Sequence, residues 1–186
     1  MIRKFIMAFA GTIVFLYGCG SNNQTSKTSV DSLNHIDQKQ VKVEEDTIAV
    51  SPDGENIFLI GKNENGNEIS ILNQNNGTKI KLLKTRSDEN VRSVSWSPGG
   101  RNVSFEIYNT EGHSPLTTNH VWAAKNDGSD LREILLPEPD QRFSTYEPVW
   151  KSDDSLIVTG ISMDGSTKKY FYNFNSGQIN ILNSKK

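Results

Sequence analysis

The chain has 186 residues, of which 20 are basic and 22 are acidic, and its formal net charge is −2. This near-neutral balance, without a basic cluster, gives no support to nucleic-acid binding or to a polybasic membrane surface. The single cysteine excludes an internal disulfide, and the length suffices for one domain with a hydrophobic core.

Residues 1–18 are typical of a signal peptide. Arg3 and Lys4 form a basic start, and an almost unbroken apolar run follows over residues 6–17. This run is shorter than the ~20 residues that a transmembrane helix needs. Its length matches the apolar segment of a signal peptide, so we expect an exported chain. A signal anchor with an incidental cysteine is the alternative interpretation.

The residues Leu16–Cys19 (Leu-Tyr-Gly-Cys) resemble the lipobox of bacterial lipoproteins, although Tyr17 is less usual at its position. The resemblance implies that Cys19 carries a lipid and becomes the N-terminus of the exported chain. Modification also removes the reactive thiol that a lone cysteine gives an exported protein. We therefore expect attachment through the lipid anchor to the extracytoplasmic face of the cell membrane. In a cell with two membranes, the outer membrane is the expected place.

The lipidated N-terminus continues into a flexible tether, and together they occupy residues 19–42. Residues 21–29 read Ser-Asn-Asn-Gln-Thr-Ser-Lys-Thr-Ser. Such a polar tract buries too little apolar surface to offset the entropy that ordering would cost. Residues 43–186 are left for the folded domain.

A repeated hairpin marks this domain. Each copy is a short apolar strand, a tight polar turn and a second apolar strand, and the copies lie at Ile48–Phe58, Val94–Phe105 and Pro148–Val158. Equivalent places in the three copies are held by Val50, Trp96 and Trp150. The first two are 46 residues apart and the last two are 54 apart. A fixed period of this size is typical of repeat architectures.

A second hairpin recurs about twenty residues later in each unit. Its three copies are Ile69–Ile80, Val121–Ile134 and Tyr170–Ile181. Asp-Gly and Asn-Gly turns supply the positive φ angles that tight hairpins need. Each unit therefore has four strands, as a β-propeller blade does, and the predicted units are 46–86, 91–136 and 146–183. The fold class is all-β.

The second unit also carries a family resemblance. Trp96–Phe105 (WSPGGRNVSF) and Val121–Ser129 (VWAAKNDGS) resemble the WD40-like repeat of TolB-type β-propellers. The first unit matches at Ser51–Gly54, with Val50 in place of the tryptophan, and the third lacks the Ser-Pro pair. The resemblance implies about three four-stranded antiparallel blades and a partner-binding role. It does not transfer TolB's own partners, because we expect residues 20–42 to be too short and too polar to replace the domain that precedes the propeller in TolB.

Three blades are fewer than a closed ring contains, since propellers have at least about four. A partial ring leaves two blade faces uncovered, and repeat units need neighbours to bury such faces. The chain can form an open stack with capped ends, half of a six-blade homodimer, or a shortened and marginally stable relative. We expect the open stack first and the dimer second.

No residue is assigned a catalytic role, and neither a metal nor a cofactor is expected. A Gly-x-Ser-x-Gly nucleophile motif is lacking. The spacing of His113 and His120 matches no standard zinc motif. Asn126–Asp130 offers oxygen ligands for calcium. Because the other units also have a glycine turn at this place, hairpin geometry is the simpler interpretation.

A candidate binding loop is the insertion at 108–118, which lengthens only the second unit. Insertions in repeat proteins often lie on a binding face, although a plain long hairpin is the simpler alternative. The candidate binding residues are Tyr108, Glu111, His113 and Trp122. The symmetry of Trp96 and Trp150 instead predicts packing between blades.

The sequence thus favours a membrane-anchored, non-catalytic scaffold that binds an envelope protein, a peptide or another ligand. The alternative is an enzyme, or an enzyme-accessory domain, that acts on envelope glycans or peptides. For that alternative the acidic candidates are Glu111, Asp127 and Asp130.

Overall fold

The computed structural model describes residues 44–111 and 118–182. The predicted signal peptide (1–18), Cys19, the tether (19–42) and His113 all lie outside these ranges. Among the described residues, every regular element is a β-strand, as the repeated hairpins predict. No stretch of them forms a helix long and apolar enough to cross a membrane.

The strands form three antiparallel sheets of four, each in chain order. Blade 1 consists of β1 (Glu44–Val50), β2 (Asn56–Asn63), β3 (Gly66–Asn73) and β4 (Lys79–Lys84). Blade 2 consists of β5 (Glu89–Trp96), β6 (Asn102–Asn109), β7 (Asn119–Lys125) and β8 (Arg132–Glu133). Blade 3 consists of β9 (Thr145–Ser152), β10 (Ser155–Ile161), β11 (Thr167–Asn173) and β12 (Ile179–Ile181). The all-β fold of three four-stranded blades, a partial propeller, is confirmed.

The first hairpin of blades 1 and 2 closes with the same backbone bonds. Ser51 N donates to Asn56 O at 2.8 Å, and Ser97 N donates to Asn102 O at the same distance. The turns pass through Gly54 (φ 75°) and Gly100 (φ 71°), a conformation that L-residues with a side chain rarely adopt. The shared geometry explains why both sequences place glycine there.

Each blade has two unlike faces. The front face carries Val50 in blade 1, Trp96 in blade 2 and Trp150 in blade 3, paired across the sheet with Ile57, Val103 and Leu156 respectively. The back face carries the residue that comes next on the second strand. This residue is Phe58 in blade 1, Ser104 in blade 2 and Ile157 in blade 3. Because side chains alternate along a strand, these two sets point in opposite directions.

The front of each blade packs on the back of the preceding one, and this packing makes two hydrophobic cores. Between blades 1 and 2 the core contains Phe58, Ile60, Ile69, Ile71, Trp96, Val103, Phe105, Ile107 and Ala124. Between blades 2 and 3 it contains Val121, Ala123, Ile134, Leu136, Phe143, Trp150, Leu156, Val158, Tyr170, Tyr172 and Phe174. The prediction that Trp96 and Trp150 pack between blades is confirmed.

The two tryptophans also hydrogen-bond to the preceding blade. Trp150 Nε1 donates to the carbonyl of Ser95 at 3.0 Å, and Trp96 Nε1 donates to the carbonyl of Ala49 at 3.4 Å. In both cases the acceptor is the residue just before the equivalent front-face position, Trp96 or Val50. One contact is therefore repeated at both blade junctions.

A buried carboxylate supports the second junction. Glu106 is 1% exposed on the back of blade 2, on the side opposite to Val103, Phe105 and Ile107. Its Oε1 accepts a hydrogen bond from Glu147 N at 2.7 Å, and Oε2 accepts one from Arg92 Nε at 2.8 Å. Two donors therefore satisfy a group that burial alone would penalise.

Candidate binding cleft between blades 1 and 2

A concavity at the first blade junction lies where β4 leads into β5, close to the ends of β6 and β7. Two adjoining cavities of about 350 and 280 Å³ share Glu89, Ile107 and His120 as lining residues. We call them together the inter-blade cleft. Its size is that of sites that take small ligands or a few peptide residues.

The cleft has an apolar wall. Leu83 at the end of blade 1 and Ile107 and Trp122 of blade 2 line the smaller cavity. Trp122 is half-buried and packs partly against the core between the two blades. A partly exposed indole that is held by such packing offers a ligand a rigid apolar contact of low entropic cost.

The connection that forms the other wall is held tightly. Asn67 N donates to Thr85 Oγ1 at 3.0 Å, and Asn67 Nδ2 donates to Glu89 O at 2.9 Å. Gly66 (φ 113°) approaches so closely that a Cβ there would lie 2.1 Å from Thr85 O. The cleft is therefore built on fixed backbone, which lowers the cost of binding.

Charged groups of both signs surround the opening. Arg86 Nη2 lies 2.9 Å from Glu89 Oε1, and His120 Nδ1 lies 2.7 Å from Glu133 Oε1. On the larger cavity, Asn109 Nδ2 donates to Asp88 Oδ2 at 2.6 Å. These pairs hold the rim in place and leave a surface of mixed polarity.

The four predicted binding residues have different positions. Trp122 lines the cleft. Tyr108 is half-buried, and the guanidinium of Arg92 lies 4.6 Å above the centre of its ring. Glu111 is exposed, and its backbone N–H donates to Asn109 Oδ1 at 2.7 Å. His113 lies outside the described residues.

Residues 126–130, considered above as a possible calcium loop, form a turn. The carboxylates of Asp127 and Asp130 in this turn already bind groups of the same hairpin. The hydroxyl and backbone N–H of Ser129 donate to Asp127, and these bonds hold the pKa of Asp127 below its ordinary value. Asp130 pairs with Lys125 at 2.6 Å, which lowers the pKa of Asp130 and raises that of Lys125. Within the described ranges, no cluster of three His, Cys, Asp or Glu residues could hold a metal.

Several cleft residues escaped the sequence analysis. Leu83, Glu89 and Glu133 lie outside the insertion, and they meet only because β4, β5 and β8 converge at the blade junction. The sequence analysis considered His120 only as a possible zinc ligand. One signal was available: Thr85–Glu89 connects two predicted units, and such connections shape sites at repeat junctions.

No family model and no curated protein matches the sequence. Solved structures do match. A puromycin-hydrolyzing peptidase from Mycobacterium tuberculosis superposes with a TM-score of 0.54 and 17% identity, over 77% of this chain and 24% of that one. The β-propeller domain of the Trilobed protease from Pyrococcus furiosus gives 0.48 and 20%, over 72% and 40%. TolB from Acinetobacter baumannii gives 0.46 and 13%, over 72% and 31%.

These likenesses concern the fold. The fold is that of a β-propeller segment. At such low identity, substrates and partners do not carry over, and this chain covers less than half of the length of each of the three structures. Its function has to be argued from its own cleft and its own sequence.

Proposed function

We propose that the protein is a lipid-anchored, extracytoplasmic and non-catalytic binding module, whose inter-blade cleft takes a short segment of an envelope protein or peptide. The observation that carries the proposal is the cleft itself. It combines the apolar wall formed by Leu83, Ile107 and Trp122 with a rim of paired charges.

The chemistry of the cleft suits a peptide. An apolar side chain of the peptide packs against Trp122, while its backbone and polar groups meet the rim at Asp88, Glu89 and Glu133. Interfaces of this kind draw most of their affinity from a central aromatic anchor. The pairing of Glu89 with Arg86 and of Glu133 with His120 holds these charges in place on the rim, where a peptide can meet them.

The proposed anchor at Cys19 would strengthen binding because it confines the domain to the membrane surface. A chain held at the membrane by a tether of about 24 residues samples a small volume, so a weak contact with another envelope protein gains from high effective concentration. The acyl chains supply the attachment, at about 0.8 kcal/mol per buried methylene.

Replacement of the cysteine tests the anchor. We expect the Cys19→Ala protein to leave the membrane fraction and appear in the soluble fraction of disrupted cells. A Cys19→Ala protein that stayed in the membrane would instead support a signal anchor.

Chemical cross-linking in intact cells, followed by purification of the protein, tests the cleft. We expect the unchanged chain and an Ile181→Ala control to recover the same partner, because Ile181 is exposed and lies in β12 of blade 3, outside the lining of the cleft. The Trp122→Ala chain should recover much less of it. Urea unfolding of each variant shows that the domain remains folded. Equal recovery with Trp122→Ala would exclude the cleft as the binding site.

A further inference from the structure

A second concavity lies at the junction of blades 2 and 3, between the connection from β8 to β9 and the β10–β11 turn. We call it the connector pocket, and its volume is about 510 Å³. The inter-blade cleft has the equivalent place one junction earlier, since it lies between the β4–β5 connection and the ends of β6 and β7. The residues that line the connector pocket are Leu135, Glu138, Pro139, Gln141, Arg142 and Met163.

The two walls of the connector pocket are fixed to each other. Asp140, which is 9% exposed, accepts a hydrogen bond from Met163 N at 2.6 Å and so ties the β8–β9 connection to the β10–β11 turn. Within the connection, Asp140 N donates to Pro137 O and Phe143 N donates to Asp140 O, each at 2.9 Å. Leu136 and Phe143 are buried in the core between blades 2 and 3. The pocket is therefore built on fixed backbone, which lowers the cost of binding a ligand.

Exposed apolar side chains share this pocket. Leu135 is 42% exposed and Met163 is 61% exposed, whereas Ile134 and Leu136, the chain neighbours of Leu135, are 1% and 2% exposed. Pro139 adds a third apolar group to the lining. Neighbouring apolar side chains that remain exposed in one concavity are typical of a surface that binds a ligand. An apolar side chain of a ligand can exclude water from this part of the pocket.

The rim of the connector pocket carries two opposite charges without ion-pair partners. Glu138 and Arg142 are both exposed lining residues. Within residues 44–111 and 118–182, neither forms an ion pair, either with the other or with a third residue. The guanidinium carbon of Arg142 lies 5.6 Å from the centre of the Phe143 ring. A ligand with one charged group of each sign would therefore gain two charge-assisted hydrogen bonds here.

We propose that the connector pocket binds a short peptide that has two free ends and an apolar side chain. The side chain lies against Leu135 and Met163. The terminal carboxylate pairs with Arg142, whose planar guanidinium can donate two parallel hydrogen bonds, and the terminal ammonium pairs with Glu138. Because Glu138 and Arg142 do not contact each other, the charges of the ligand have to be separated, as they are at the two ends of a short peptide.

The size of the pocket agrees with this ligand, because sites for small ligands have volumes of about 300–1,000 Å³. The connector pocket shares no lining residue with the inter-blade cleft. It is therefore a separate site, and its existence does not rest on the proposed function of the cleft.

Nuclear magnetic resonance of methionine methyl groups labelled with carbon-13 tests this site on the full chain in detergent. The chain has three methionines, Met1, Met7 and Met163, and Met163→Leu identifies the signal of Met163. The probe is the tripeptide Ala-Leu-Ala with free ends. We expect a saturable shift of the Met163 signal with a Kd on the order of 1 mM. A Met163 signal that does not move would overturn the proposal.

Changes of the peptide locate its contacts without altering the protein. Amidation of the C-terminus and acetylation of the N-terminus should each weaken binding about three- to fivefold, because each removes one charge pair at an exposed rim. Ala-Asn-Ala should also bind more weakly, since its side chain is of similar size but polar. Equal binding of a peptide that is blocked at both ends would overturn the roles of Arg142 and Glu138.

Variants of the protein assign each end of the peptide to a residue. We expect Arg142→Ala to weaken the free tripeptide about three- to fivefold but to leave the C-terminally amidated peptide nearly unaffected, because the same pair is already lost. Arg101→Ala is the matched control, since Arg101 lies in the β5–β6 turn and does not line the pocket. Trp122→Ala should also leave the Met163 shift unchanged, because Trp122 belongs to the inter-blade cleft. Equal weakening by Arg142→Ala and Arg101→Ala would contradict a contact of the carboxylate with Arg142.

Discussion

Trp150 Nε1 of blade 3 donates a hydrogen bond of 3.0 Å to the carbonyl of Ser95 in blade 2. The same relationship joins Trp96 to Ala49 one junction earlier, with a longer bond of 3.4 Å. The tryptophan at this repeat position therefore supplies both an apolar contact and an oriented hydrogen bond at each of the two junctions. Blade 1 has Val50 at that position and is the blade without a described neighbour in front of it.

The difference between the two indole bonds can be measured. We expect Trp150→Phe to lower the free energy of unfolding by about 1–2 kcal/mol, since it loses a short hydrogen bond and some packing volume. Trp96→Phe loses a similar volume but a weaker bond, so its loss should be smaller. Urea unfolding of both variants gives the comparison. A larger loss in Trp96→Phe would contradict this role for the indole of Trp150.

The buried carboxylate of Glu106 gives a second prediction. Glu106→Ala leaves Glu147 N without its acceptor at the junction of blades 2 and 3, and we expect a loss of about 1–3 kcal/mol. Glu106→Gln retains an acceptor oxygen of nearly the same size and should lose less. Denaturant unfolding separates the two. Equal losses would show that the charge, rather than the acceptor, matters here.

Substitution of Gly66 tests whether the backbone wall of the cleft depends on the close approach of Gly66 to Thr85. Gly66→Ala places a Cβ against Thr85 O at a positive φ, so we expect a loss above about 2 kcal/mol. Gly77 also has a positive φ of 71° but open space around it. Gly77→Ala should cost only about 1 kcal/mol of backbone strain. Similar losses from both, measured by thermal unfolding, would mean that contact with Thr85 is unimportant.

The hydrogen bond between Ser51 and Asp53 predicts that the free energy of unfolding depends on pH. The Ser51 hydroxyl donates to Asp53 Oδ1 at 2.5 Å, and this bond, with help from Glu55 N, lowers the pKa of Asp53. A carboxyl with a lowered folded-state pKa stabilises the fold above its unfolded pKa, and this contribution is lost as the pH falls through the folded value. Ser51→Ala raises the pKa of Asp53, so it should destabilise the protein more at neutral pH than in acid.

Ser97→Ala is the matched control for this prediction. Ser97 Oγ accepts from Asn102 N at 3.1 Å, as Ser51 Oγ accepts from Asn56 N at 2.9 Å, but its turn has Gly99 where the first has Asp53. The loss of stability in Ser97→Ala should therefore not vary with pH as the loss in Ser51→Ala does. Urea unfolding at about pH 7 and about pH 3 measures both variants. A pH dependence shared by the two would rule out Asp53 as the source.

The sequence predicted the architecture well for a physical reason. The repeated hairpins, the glycine turns and the recurring Trp96 and Trp150 are local or periodic signals, and all of them reappear in the three sheets. The returning strand of the second unit is shorter than its pattern suggests, since β8 has only two residues. Ile134 and Leu136 continue past it into the core between blades 2 and 3.

The cleft could not be predicted in the same way. Leu83 and Trp122 are 39 residues apart, and they come together only through the packing of one blade on the next. The same holds for Glu106, whose partner Glu147 N lies 41 residues away. Residues of this kind carry no local pattern, because their environment is created by the junction and not by their own strand.

Photo-cross-linking in living cells tests the proposed binding cleft most directly. A photoreactive amino acid replaces Lys84, an exposed residue on the rim of the cleft, or Asp127, an exposed residue in the β7–β8 turn. We expect a discrete adduct with an envelope protein or peptide from position 84, and little or none from position 127. Equal adducts from both positions, or no adduct from position 84 in membranes that retain the protein, would contradict binding at the cleft.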